Sequence, residues 1–233
     1  MLQYAKRPID IFQIELTNFC DMDCSYCPHP TMTRPKGHMS AEVLEKCVSH
    51  SKDMGKDRVI LHHFGESLLH PKLEERFRQV KEAGLTIQFA TNGTLLERKL
   101  PMMMELDTPF DIILSVHQWK DEPVATYWQA LAALQAKTQG SKVRIYRAYN
   151  VNNQSFFFCR WVNAPAREWD YLQGCNFLRE NWCVVLWNGD MASCCLDCHG
   201  ESVFSNILMP GAIHTVSIPW RGCPTCDPYA SRK

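Results

Sequence analysis

The sequence predicts an α/β fold, an open partial (βα) barrel followed by a small cysteine-rich unit built on a β-hairpin. Three observations carry this. Strand-like and helix-like patterns alternate through the first two-thirds of the chain, the signature of a parallel sheet. Five strand candidates fall short of the eight units that close a barrel. Beyond residue 150 the alternation fails, and the stretch from Gly174 onward holds more than half of the 12 cysteines. We therefore divide the chain into residues 1–155, the partial barrel, and residues 156–233, a linker and a metal-organised unit.

The elements follow in order. Residues 11–16 read as the first strand, ending at Thr17-Asn18-Phe19. Ser40 is an N-cap candidate, and Val43, Leu44, Cys47 and Val48 form the apolar stripe of a first helix. Residues 58–63 give a second strand. Pro71 suits the first turn of a helix that buries Leu73, Phe77 and Val80, and Gly84 stops it. Residues 85–90 form a third strand, and Thr94 caps a helix that reaches Met102–Met104. Residues 110–116 are the fourth strand. Val124, Trp128, Leu131 and Leu134 recur at helical spacing up to Gly140, and residues 142–149 are the fifth strand. In the tail, residues 184–187 and 191–193 flank Asn188-Gly189, a pair that favours a tight primed hairpin turn.

Composition narrows the function. With 45% hydrophobic residues in 233, a sizeable core is expected. Lys+Arg and Asp+Glu are equal at 25 each, so no basic excess points to nucleic acid. No segment approaches the ~20 apolar residues of a membrane span. The first ten residues are polar and lack the apolar core of a signal peptide, so a reduced, cytoplasmic setting with cysteines as metal ligands is expected.

Cys20, Cys24 and Cys27 are spaced C-x3-C-x2-C, with Tyr26 before the third. Three thiolates on one short loop leave one iron of a 4Fe–4S cube without a protein ligand. A zinc knuckle that recruits His29 is the other reading of the same spacing. The triplet resembles the cluster motif of radical S-adenosylmethionine (radical SAM) enzymes. The resemblance implies an open iron that chelates the amino and carboxylate groups of S-adenosylmethionine, with Tyr26 against the adenine. The second strand runs into His63-Phe64-Gly65-Glu66-Ser67, similar to the family's Gly-Gly-Glu motif. Gly65 and Glu66 match and would hold the methionine ammonium, while Phe64 and Ser67 depart from the pattern. Thr91-Asn92-Gly93-Thr94 is similar to the Thr-Asn-Gly of many members, and Ser115 stands where the family often places a cofactor-binding serine. His117 is unusual there and is a candidate proton acceptor facing substrate. Arg144 or Arg147 would neutralise the cofactor carboxylate.

The tail carries a second cysteine set. Cys175, the hairpin, Cys194 and Cys223-Pro224-Thr225-Cys226 resemble the auxiliary-cluster region of the family, called twitch when it holds one cluster and SPASM when it holds two. The longer two-cluster series is missing, so one fully ligated auxiliary 4Fe–4S cluster is expected. Four sulfurs in this order also make a zinc ribbon. Cys183 is an alternative ligand to Cys175. Cys159, Cys183, Cys195 and Cys198 are the candidate hydrogen donors of an epimerase, Cys198-His199 reads otherwise as a loop pair with no role, and Cys47 reads as core.

These resemblances imply two clusters, S-adenosylmethionine, and a reductase partner such as flavodoxin or ferredoxin. The expected reaction is oxidation of a secondary alcohol on a sugar or aminocyclitol, as in twitch dehydrogenases. A radical epimerase or peptide-modifying enzyme with a cysteine donor is the alternative, and a non-enzymatic two-zinc protein the remote one.

Overall fold

The structure, a computed structural model, describes residues 8–24, 27–119, 121–147 and 175–214. Eight strands and five helices are described. β1 (Asp10–Ile14) leads into the cysteine loop, and α1 (Ala41–Asp53) follows. β2 (Arg58–Ile60), α2 (Leu73–Glu82), β3 (Thr86–Thr91), α3 (Leu96–Glu105), β4 (Phe110–Leu114), α4 (Val124–Lys137) and β5 (Val143–Arg147) alternate as expected. After the undescribed stretch come α5 (Asn176–Arg179), β6 (Trp182–Val185), β7 (Asp190–Ala192) and β8 (Val203–Asn206).

β2, β3, β4 and β5 form one parallel sheet in that order. Its two faces differ sharply. Val59, Ile87, Phe89, Ile112, Leu114 and Ile145 are buried on the face that α1–α4 cover. Arg58, Gln88, Asp111 and Arg144 alternate onto the opposite face. β1 lies against β2 but takes its ladder partner elsewhere: it pairs in parallel with β6, from Asp10↔Trp182 to Ile14↔Val185. The hairpin β6–β7 and strand β8 extend this second sheet. Ile11, Cys47, Cys183, Val185 and Met191 thus share the main core, and a smaller cluster forms around Phe12, Phe177, Val184 and Leu186.

Local signals are kept in part. The Ser40 hydroxyl accepts from the Val43 amide at 3.2 Å, the expected cap. Gly84 follows α2 with φ +78°. Pro71 is not in the first turn of α2 but two residues before it, because the helix starts at Leu73 after the N-cap position Lys72. Thr94 does not cap α3; its hydroxyl donates to Asp21 at 2.6 Å, and Leu95 takes the cap position with no side-chain bond. The buried stripe of α4 is Tyr127, Leu131 and Leu134, leaving Val124 and Trp128 exposed. Tyr127 wins because its hydroxyl reaches the Leu114 carbonyl at 2.9 Å while its ring is buried. The hairpin turn also differs. Only Gly189 takes positive φ, at +91°, since Asn188 instead accepts from the Asp190 amide through Oδ1 at 3.2 Å.

Candidate active site

The cysteine loop leaves the carboxyl end of β1, and the Gly65-Glu66 segment leaves β2 beside it. Their packing is flush. Gly65 has φ +142°, and a Cβ there would stand 2.3 Å from the Thr17 carbonyl oxygen, so glycine is required. The Glu66 amide donates to the Phe19 carbonyl at 2.8 Å, tying the two loops together. Asn18, fully buried, braces the loop from below. It accepts from the Gly37 amide at 2.8 Å and donates to the Pro35 carbonyl at 2.9 Å.

Glu66 is 2% exposed. Its carboxylate accepts from the Leu68 amide (3.1 Å), the Thr91 hydroxyl (3.0 Å) and the Asn92 amide (2.8 Å). Burial pushes its pKa up to about 7, and the three donors pull back against it. The Asn92 side chain is not turned to Glu66. It donates to Asp21 of the cysteine loop at 2.7 Å, and Asp21 also receives Thr94. Asp21 therefore pins the cysteine loop to the β3 tip.

These segments surround a small cavity of about 70 Å³ that is partly open to solvent. Cys20, Cys24 and Cys27 line one wall. Gly65, Glu66 and Asn92 line the second, and Ser115 with His117 the third. His62 and His63 complete it. Burial lowers the imidazoles of His62 and His117 to about 4, and His63 is lowered as well. The wall is therefore neutral near pH 7.

The remaining predicted residues fall as follows. Arg144 does not reach the cavity. It is 58% exposed beside Asp111 of β4, which stands four residues before Ser115, with its guanidinium on the Asp111 carboxylate at 2.7 Å. The buried Asp111 is the stronger attraction, because it needs a cation beside it. Arg147 lies over the Trp128 ring at 5.4 Å, on the helix-covered side. Cys175 and Cys195 both pack on the small apolar cluster around Phe177. Cys194 accepts from the Leu196 amide through sulfur at 3.4 Å. Cys183 is fully buried in the main core beside Cys47 and Asp10. Tyr26, Cys159, Cys223 and Cys226 lie outside the described residues.

Sequence reasoning passed over Glu15 and Arg34. Glu15 has a side chain 0% exposed and is gripped bidentately by Arg34, once at 2.6 Å. Arg34 also donates to the Cys198 carbonyl at 2.8 Å, and the Trp187 amide donates to Glu15 at 3.3 Å. An acid closing an otherwise apolar strand was the available signal, since a buried carboxylate demands a partner. The turn after Cys194 is set by Asp197, which accepts from the His199, Gly200 and Ser202 amides. The Asp197 backbone lies beside the His63 ring and raises its pKa, against the stronger lowering by burial.

The donor set fits the groups that the cysteine motif implies. Three soft thiols border one cavity, and a desolvated carboxylate stands across from them for an ammonium group. Among the described residues no three His, Cys, Asp or Glu side chains converge as they would on a single ion. Thiols that each take a different iron of a cube need no such convergence.

A parallel, helix-covered open sheet with soft ligands gathered at its strand tips defines a cofactor-dependent α/β-barrel enzyme. The chain belongs to the radical SAM superfamily, whose profile matches residues 14–152. That family implies a 4Fe–4S cluster and S-adenosylmethionine. The chain is similar to the probable GTP 3′,8-cyclase of Methanothermobacter thermautotrophicus, 33% identical over 92 residues, covering 39% of this chain and 30% of the relative. It is similar to the AdoMet-dependent heme synthase of Methanosarcina barkeri, 35% identical over 83 residues, covering 35% and 24%. These matches span about a third or less of the relatives' own lengths. In fold it resembles the crystal structure of BtrN in complex with AdoMet and 2-DOIA, with TM-score 0.60 and 20% identity over 86% of this chain and 79% of that one. No helix among the described residues is long and apolar enough to cross a membrane.

Proposed function

We propose that this radical SAM enzyme is an oxidoreductase that converts a secondary alcohol of a small hydroxylated substrate, a sugar or aminocyclitol, to a ketone. When bound, the cluster held by Cys20, Cys24 and Cys27 and S-adenosylmethionine supply a 5′-deoxyadenosyl radical that takes a C–H hydrogen. Glu66 binds the methionine ammonium. Asp21 and Asn92 fix the cysteine loop against β3. Ser115 hydrogen-bonds the cofactor, and His117 accepts the hydroxyl proton of the substrate. Cys175 and Cys194, with Cys223 and Cys226, hold the auxiliary 4Fe–4S cluster, a one-electron acceptor. A flavodoxin- or ferredoxin-type protein is the electron donor.

One observation carries the reading. The turn that follows Cys194 accepts from Arg34 through the Cys198 carbonyl at 2.8 Å, and its Asp197 backbone lies close enough to the His63 ring in the cavity wall to raise that ring's pKa against burial. The Arg34 bond ties the turn after Cys194 to the segment that grips Glu15, which supports an electron acceptor near the cofactor cavity. The test is anaerobic iron and sulfide analysis of the Cys20/Cys24/Cys27→Ala triple variant. Half the iron is expected to remain; complete loss would reject a second cluster.

A second reading, a radical epimerase or peptide-modifying enzyme, is favoured by Cys198. Its thiol is fully buried next to Arg34 and within electrostatic reach of Cys27. Turnover in D2O separates the two. Oxidation leaves the attacked carbon free of solvent deuterium, whereas a thiol donor delivers one deuteron.

A further inference from the structure

Two buried ring nitrogens in the cavity wall have no hydrogen-bond partner among the described residues, Nδ1 of His62 and Nε2 of His63. A buried polar group left without a bond costs stability. Two on consecutive residues, both lining one cavity, mark a place where a ligand completes the bonding. Their chemistry selects the ligand. A neutral imidazole nitrogen without a partner offers either a lone pair or an N–H, according to the tautomer. His62 stands beside His117, and both rings are neutral near pH 7. A carboxylate would only accept and an ammonium would only donate. A hydroxyl does both, and it satisfies either tautomer of His62.

We propose that His62 and His63 form a hydroxyl-binding wall, each hydrogen-bonded to a hydroxyl of a cyclic polyol or aminocyclitol that lies beside S-adenosylmethionine. This rests on the oxidation of a hydroxylated substrate proposed above. His62 and His63 determine substrate specificity, and the cofactor contacts stay with Glu66, Asn92 and Ser115.

The test uses the anaerobically reconstituted enzyme loaded with S-adenosylmethionine, titrated calorimetrically with myo-inositol and 2-deoxystreptamine, with glycylglycine as the control. The wild type is expected to bind at least one cyclic polyol and not the dipeptide. His62→Phe and His63→Phe are expected to weaken polyol binding tenfold or more. His62→Asn and His63→Gln, whose amides mimic Nδ1 and Nε2, should stay within about threefold of wild type. Affinity for S-adenosylmethionine should stay within twofold in all four. If the phenylalanine variants lose iron, alanine at the same positions replaces them, with the same tenfold expectation. Unchanged polyol binding in the Phe variants overturns the proposal. So does a parallel loss of S-adenosylmethionine, which would assign the wall to the cofactor, or a wild type that binds neither polyol. Deuterium transfer from perdeuterated polyol to 5′-deoxyadenosine is scored separately. Binding without transfer would reject the oxidation reading and support the wall.

Discussion

At the scale of single residues, Glu66 and Gly65 do unlike work. Glu66 is a carboxylate held out of water by three donors, poised for one more cationic partner. Hydrogen bonds to charged groups contribute about 1.5–3 kcal/mol, so Glu66→Gln should weaken S-adenosylmethionine binding roughly 10- to 100-fold. Calorimetry checks this, and iron content should not change. Gly65 is chosen for the absence of a side chain. Its backbone conformation and the Thr17 carbonyl leave no room for a Cβ. Gly65→Ala is expected to push the Glu66 loop off the cysteine loop, and an anaerobic iron assay should find the cavity's cluster lost. Gly65 and Glu66 were legible because each has a chemical reason to stand next to the other. Asp21 was not. Its role depends on Asn92 and Thr94, some seventy residues away, and nothing local announces that bond.

At the scale of elements, the joint between β1, the cysteine loop and the β6–β7 hairpin is held by the Glu15–Arg34 pair. Arg34→Met leaves Glu15 buried without its cation, a change that typically costs about 3–5 kcal/mol. The expected outcome is a lower urea midpoint, and Glu15→Gln in the same chain should recover part of the loss. Gly37 shows the same tight joint, since a Cβ there would meet the Trp187 ring at 2.5 Å. The strands and helices of the barrel were readable from periodicity, because one face of each is covered. In α4 the reading of Leu131 and Leu134 as buried was right, but Tyr127 takes the buried place assigned to Val124 and Trp128. Spacing alone did not reveal that a tyrosine hydroxyl would find the Leu114 carbonyl.

At the scale of the molecule, the titration of buried imidazoles links stability to pH. His62, His70 and His117 are held near 4 by burial, against 6.5 for the free side chain. His70 is faced by His38 and Arg76, which lower it further, and by the Met39 carbonyl and Glu75, which raise it. His62 is faced by His117. Groups with depressed pKa contribute full stability above the unfolded value and lose it as pH falls through the folded one. The urea midpoint of iron-free protein is therefore expected to drop as pH falls from 6.5 towards 4. His62→Asn should shallow that decline. A midpoint flat across this window would show that the rings titrate as free histidines.

The sequence alone determined the α/β class, the order of strands and helices, the triplet of thiols and the Gly65-Glu66 loop. These follow from short-range patterns, in which period and spacing carry the physics. Tertiary structure decided what no pattern encodes. It paired β1 with β6 rather than β2, drew Arg144 to Asp111 instead of the cofactor cavity, and placed His62 and His63 in the cavity wall. Each of these outcomes is a contest between distant groups for burial or for a partner of opposite charge. Such a contest is resolved only when the chain has closed on itself and the competing groups meet.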